Sequence, residues 1–226
     1  MAVVLGALDA SLLRDHRCYF GGGTAIVMRF GEYRESADMD FMVSDISAYR
    51  VLRRLVSAPG GIGVLFSSPA VVAQHGEVRA DQYGIRTRIE AATAVIKFAI
   101  VFEARIDLEP TGPDELLCGV TTFTLRDMAA SKLLANSDRW GDAGTWQRDL
   151  VDLAMLEISR EDMEAALLKA EAAYGASIRR DLHAAIKAVT SREGWLDRCM
   201  QALSIQLPKA VLWQRIRRLE RYCLAG

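Results

Sequence analysis

The sequence is poor in cysteine and histidine, and each shortage closes off a class of chemistry. Its four cysteines, Cys18, Cys118, Cys199 and Cys223, stand far apart, with no Cys-x-x-Cys and no Cys/His spacing. That argues against a zinc site and a disulfide framework and fits a reducing cytoplasm. The three histidines, His16, His75 and His183, are isolated and suggest no role. No apolar run approaches the length needed to span a membrane, so no membrane partner is expected. The apolar start AVVLGALDASLL has no basic leader and is interrupted by Asp9. It reads as an amphipathic helix with Leu5, Leu8 and Leu12 inward, not as a signal peptide. An excess of charge is missing too: 28 basic against 29 acidic residues give a net charge of -1. This excludes a generally basic nucleic-acid binder but leaves room for a local basic patch. Internal repeats and low-complexity segments are absent.

What remains is a chain of 226 residues, 51% hydrophobic and 25% charged, a balance that suits one large globular domain or two small ones. Its most informative stretch runs from Cys18 to Asp45, CYFGGGTAIVMRFGEYRESADMDFMVSD. A short strand, Cys18-Tyr19-Phe20, breaks at Gly21, Gly22 and Gly23. Thr24 is placed to cap a helix carrying Ala25, Ile26, Val27 and Met28, and Gly31 ends it. Asp38-Met39-Asp40-Phe41-Met42-Val43 reads as a second strand. Alternate residues of a strand share a face, so Asp38 and Asp40 project together while Met39, Phe41 and Val43 face a core. Two adjacent carboxylates call for a cation between them, and hard oxygen pairs suit Mg²⁺ or Mn²⁺. Glycines at a helix start leave N–H groups open to close approach by a phosphate.

Gly22-Gly23-Thr24, followed by Arg34, Ser36 and Asp38-Met39-Asp40-Phe41, resembles the GG-[ST]…RxSxDxDF signature of the AbiEii/AbiGii toxin family, within the polymerase-β-like nucleotidyltransferase superfamily. The resemblance implies that these glycines, Thr24, Arg34 and Ser36 meet the nucleotide and that Asp38 and Asp40 hold the metal. It covers residues 15–157 in scattered motifs. The later ones are Ser131-Lys132-Leu133-Leu134-Ala135 with Arg139, and Arg148-Asp149-Leu150-Val151-Asp152-Leu153, similar to the family's K-L-x-A and RDxxDL helices. Lys132 and Arg139, seven apart, share one helix face and make a sensible pair for triphosphate oxygens. Asp149 and Asp152 are i,i+3 neighbours able to position them. An ordinary salt-bridged helix pair is the competing account of these charges.

Superfamily members commonly place a third carboxylate on a neighbouring strand, shortly after a lysine. Here Ile96-Lys97-Phe98-Ala99 puts an alanine at that position. Glu103 shares the parity of Lys97 and Ala99 and is the candidate third ligand, with a surface charge at a strand end as the alternative. Asp107 lies further still.

Along the rest of the chain, Ser47 to Ser57 reads as a helix and Val64-Leu65-Phe66 as a short strand, while Ser67 to Tyr83 carries no clear pattern. Ile85–Glu90 and Ala94–Arg105 read as two strands joined by a turn, the second nearly all apolar and therefore central. From Leu125 the pattern turns helical, over Leu125–Asn136, Trp146–Glu157, Glu161–Tyr174, Ser177–Val189 and Ala210–Leu224. Trp146, Trp195 and Trp213 are expected as core or interface anchors. Gln214, Arg217, Arg218 and Arg221 form a polar face on the last helix, able to meet RNA phosphates but read in preference as a solvated surface. The expected fold class is α/β (α+β): a polymerase-β-like core with a small mixed sheet over residues 1–120 and a helical domain over 121–226.

By the resemblance, the protein would be a cytoplasmic toxin of an AbiE-type toxin–antitoxin pair, transferring a nucleotide from an NTP to an acceptor, RNA or tRNA, with a cognate antitoxin as its counterpart. Two other classes fit the residues: a nucleotide-binding protein without transfer, which Ala99 favours, and an interaction module that keeps the fold.

Overall fold

The computed structural model describes residues 1–91 and 94–223. The turn expected between the two central strands, at residues 92–93, and Leu224 at the end of the expected last helix lie outside the described residues. The chain divides into two compact units, Met1–Ala25 with Ala37–Thr124, and Ile26–Ser36 with the residues from Leu125 onward.

In the first unit, α1 (Ala2–Ala7) and α2 (Ala10–Asp15) replace the single helix expected from the sequence. Asp9 divides them, because its carboxylate accepts the Leu12 N–H at 2.9 Å and so caps α2. This resets the helix phase: Leu5 and Leu8 are buried, and Leu13 rather than Leu12 fills the core. β1 (Tyr19–Gly21) runs straight into α3 (Gly22–Arg29), so Thr24 is a buried residue of the first turn and not the cap. β2 (Met39–Val43) follows, then α4 (Ile46–Ser57), capped by Asp45, whose carboxylate accepts the Ala48 N–H at 2.7 Å. The strand expected at Val64–Phe66 is instead a 3-10 turn, Gly61–Leu65, and Phe66 makes one bridge to Leu8. β3 (Ala73–Ala80) occupies the stretch without a pattern. It is mostly exposed and lies at the sheet edge, so the alternation that betrays a half-buried strand is missing. β4 (Gly84–Ala91) and β5 (Ala94–Phe102) complete the sheet, and β6 (Leu116–Leu117) with β7 (Val120–Thr121) forms a small hairpin.

The five-stranded sheet has the order β1-β2-β5-β4-β3. Within it, β2–β5 is parallel and the other three strand pairings are antiparallel. Its inner face is a row of cross-strand partners, Phe20–Phe41–Ile100–Ile85, all with no exposed surface. The Phe20, Phe41 and Phe98 rings lie in series with centroids 5.3 Å apart, a spacing at which tilted aromatic pairs attract beyond their buried area.

The second unit is helical: α5 (Leu125–Arg139), α6 (Arg148–Met155), α7 (Arg160–Tyr174), α8 (Ser177–Ser191), α9 (Trp195–Ala202) and α10 (Lys209–Arg218). α6 starts two residues later than the pattern suggests, because Trp146 and Gln147 both take left-handed backbone. α9 has no counterpart in the sequence reading. Trp195 is buried and stacks on Trp146 at 5.5 Å, whereas Trp213 is partly exposed beneath Arg217. The last helix stops at Arg218 and continues as a 3-10 turn, Leu219–Tyr222, with Arg217 paired to Glu220.

α5 is covered on nearly every side, so its polar side chains must find partners inside the unit. Asp127 pairs with Lys169 of α7. The Lys132 ammonium donates to Asp149 at 2.9 Å and lies 2.6 Å from Asp152. Arg34 clamps Asp152 with two guanidinium bonds of 2.7 and 2.8 Å, and the Tyr33 hydroxyl donates to the same carboxylate at 2.7 Å. Arg139 forks onto Asp149 at 2.6 and 2.9 Å. Burial alone would raise the Asp149 and Asp152 carboxyls, but Lys132 and the two guanidinium groups outweigh it and hold both below the ordinary carboxylate range. Burial likewise pulls the Lys132 ammonium down, and Asp152 and Asp149 more than reverse it.

This ion network carries a stability signature. The carboxylates contribute above about pH 4, their unfolded value, and lose that contribution as pH falls through their lower folded values. Lys132 contributes below about pH 10 and loses its share as pH rises through its raised folded value. Asp152→Ala strands Lys132 and Arg34 and should destabilise the protein by about 3–5 kcal/mol at neutral pH. Urea unfolding measures this directly. The variant should also show a shallower stability loss below pH 4, and a difference from wild type under about 1 kcal/mol would contradict the network's role.

Candidate functional site

The outer face of the sheet in the first unit follows from the strand parity that builds its core. With Met39, Phe41 and Val43 fully buried, Asp38 and Asp40 project to the opposite side. Asp40 pairs in register with Gly21 of β1 and Ala99 of β5, Ala99 with Arg86 of β4, and Arg86 with Arg79 of β3. One row thus crosses all five strands as Gly21–Asp40–Ala99–Arg86–Arg79. Beside it, Lys97 pairs with Arg88 and Arg88 with His75. The Lys97 ammonium lies 3.9 Å from the half-exposed Asp38 carboxylate. Asp38, Asp40, Arg79, Arg86, Arg88, Lys97 and Ala99 line a cleft of about 500 Å³ together with His75, Gly76, Glu77, Thr87 and Phe98. Four permanent cations therefore face three carboxylates, a surface suited to a polyanion, and the volume suits a small-molecule ligand.

Gly22 lies against Asp40 at the acidic end of this cleft. Its φ is +65°, a region that disfavours a side chain, and a β-carbon there would stand 2.9 Å from an Asp40 carboxylate oxygen. The Asp40 carboxylate is thus seated against bare backbone at the start of α3, with Gly23 and Thr24 in the same first turn. Two hard carboxylates at alternate positions, Asp38 just before β2 and Asp40 within it, with Gly22 leaving room for the Asp40 carboxylate, fit a divalent ion such as Mg²⁺ or Mn²⁺.

Glu103 does not belong to that donor set. Asp40 pairs with Ala99, and Glu103 lies four residues further along, about 13 Å at strand spacing. Its buried carboxylate takes two bonds from the Arg105 guanidinium, at 2.9 and 2.7 Å. Parity alone put it on the correct face, but the distance along the strand and the local arginine remove it. Among the described residues no group of three or more His, Cys, Asp or Glu is arranged to hold a metal.

The sequence-derived candidates therefore fall into two groups. Gly22, Gly23, Thr24, Asp38 and Asp40 stand at the acidic end of the cleft or at the helix start beside it. Arg34, Lys132, Arg139, Asp149 and Asp152 form the internal network of the second unit, and Ser36 is half-buried in the same unit. Arg139 is the network's outward member, with 36% of its side chain exposed against 6% for Lys132. The basic rows Arg79, Arg86, Arg88 and Lys97 were not anticipated. Their signal was present in Ile85-Arg86-Thr87-Arg88-Ile89, where arginines alternate with residues facing the core.

The model of a nucleotidyl transferase family, the AbiEii toxin of type IV toxin–antitoxin systems, matches residues 4–217. Among solved structures, the chain is similar to JHP933 from Helicobacter pylori, with 16% identity, a TM-score of 0.53, and coverage of 98% of this chain and 90% of that one. It is also similar to MenT4, a nucleotidyltransferase toxin from Mycobacterium tuberculosis, with 16% identity, a TM-score of 0.50, and coverage of 98% and 82%. At that identity the likeness concerns the fold. No curated protein matches the chain. No helix among the described residues is long and apolar enough to cross a membrane. With its mixed sheet, its glycine-seated acidic pair and a family match along nearly its whole length, the chain belongs to the AbiEii family of nucleotidyltransferase toxins.

Proposed function

We propose that the cleft of the first unit binds an NTP with Mg²⁺ or Mn²⁺ and transfers its nucleotide to RNA, tRNA being one candidate acceptor. The observation that carries this reading is the sheet face itself, where a metal-suited carboxylate pair ends a row of arginines. Asp38 and Asp40 would hold the divalent ion, whose chemistry would be to neutralise triphosphate charge. Arg79, Arg86, Arg88 and Lys97 attract and orient the phosphates. An acceptor hydroxyl oxygen forms a bond to the α-phosphorus, and the bond to the β-bridging oxygen breaks. Pyrophosphate leaves, and the hydroxyl proton passes to water. Lys132, Asp152, Arg34 and Arg139 act within the second unit, holding α5, α6 and the segment around Arg34 together through their network. The protein works in the cytoplasm, where NTPs and RNA are found, and is countered by a cognate antitoxin.

Two outcomes test this reading. Calorimetric titration of NTP should show affinity at least about tenfold higher with Mg²⁺ than without it, and Asp40→Ala should abolish the difference. Equal affinities for both proteins in both conditions would contradict a metal site at the pair.

The second outcome concerns transfer. Purified protein incubated with total RNA and each labelled NTP in turn should label RNA, and expression of the chain alone should slow bacterial growth. Asp38→Ala should remove both effects, since loss of a charge-stabilising group costs about a hundredfold or more in rate. Metal-dependent binding without label in RNA or protein, and with unaffected growth, would support the binding-only class instead.

A further inference from the structure

The row Asp40–Ala99–Arg86 has a chemical consequence that rests on the metal–nucleotide reading above. A site that holds two divalent ions needs carboxylates enough to anchor both, with the ions on either side of the reacting phosphate. Here the acidic pair has two neighbours on β5: Ala99, directly beside Asp40 in register, and Lys97, 3.9 Å from Asp38. The position that would complete a three-carboxylate set is a methyl group, and its nearest outward companion is a cation. Glu103, the remaining acid on that parity, is held by Arg105.

The next strand supplies positive charge in the same row. Arg86 lies directly across from Ala99, two strand spacings or about 10 Å from Asp40 in the backbone. Its side chain is half exposed and lines the same cleft. The guanidinium rests over Gly84, where a β-carbon would stand 3.3 Å from it and 2.9 Å from the Ile100 carbonyl oxygen. Its carboxylate neighbour, Asp81, is 3.8 Å away and itself half exposed, a pairing that screened solvent leaves weak. Nothing larger than a methyl stands between this arginine and the acidic pair along the row. We propose that the Asp38–Asp40 pair takes a single divalent ion, and that Arg86 supplies the positive charge which a second ion would otherwise bring to the bound triphosphate.

The test counts ions instead of turnover. The intact protein, saturated with a non-hydrolysable NTP analogue, is dialysed against Mn²⁺, and bound metal is read by electron paramagnetic resonance. Wild type should hold one Mn²⁺ per bound nucleotide, and Ala99→Asp, which restores a third carboxylate, should hold two. Arg86→Gln should weaken analogue affinity about tenfold in the wild-type background, and clearly less in the Ala99→Asp background, where a second ion takes over. Two ions bound by wild type would overturn the proposal while leaving the metal–nucleotide reading intact. So would an Arg86→Gln penalty of the same size in both backgrounds. Absence of any Mn²⁺-dependent analogue binding by wild type would instead defeat the underlying reading, and the proposal with it. The wild-type count needs no variant, so a misfolded Ala99→Asp protein would not blunt the test.

Discussion

The register of β2 between β1 and β5 is the constraint on which the rest of the first unit depends. A strand flanked on both sides cannot slip by one residue without turning Met39, Phe41 and Val43 out of the core and two aspartates into it. The same pairing that buries Phe41 between Phe20 and Ile100 therefore fixes the direction of Asp40. It also decides what lies beside that carboxylate: Gly22, with Gly21 next to it under the Phe123 ring, on one side, and Ala99 on the other. Apolar packing is thus the source of the site's geometry, and the charged groups inherit their places from it.

The two charged systems of the chain are built on opposite physical terms. On the sheet, Lys97 keeps 71% of its side chain exposed and Arg86 50%, so their charges remain available to an arriving anion. In the helical unit, Lys132 and Asp152 are desolvated and fully engaged with each other and with Arg34. Removing charges from water is costly, and good geometry with complete pairing is what offsets it. Such a network specifies one arrangement of α5, α6 and the segment around Arg34, and has little capacity left for direct ligand contact. Arg139 differs in keeping an exposed edge.

Much of this was legible in the residues. Alternation in Asp38–Val43 gave the strand, its inner face and the outward acidic pair, and the later Lys132 and Asp152 motifs fell on neighbouring helices as expected. What escaped has identifiable causes. β3 is an exposed edge strand with a bulge between His75 and Arg79, so no core requirement shaped its pattern. Asp9 reads as a polar interruption of one helix but acts as the cap of a second. Thr24 loses its expected cap role because Gly22, with a positive φ, already begins the helix. Glu103 shows the limit of parity, which assigns a face but not a position along it. The arginine rows needed the strand order, since Arg79 and Arg86 become neighbours of the acidic pair only once β5, β4 and β3 are known to follow β2.

The central claim is that Asp38 and Asp40, presented by this register, are where metal and nucleotide meet. Crystals grown with Mn²⁺ and a non-hydrolysable NTP analogue would test it most directly through anomalous scattering. The account predicts a manganese peak within coordination distance of both carboxylates, about 2.0–2.2 Å for so small a hard cation, with the triphosphate running toward Arg86. A bound analogue whose metal and phosphates lie elsewhere, with both aspartates uninvolved, would contradict it.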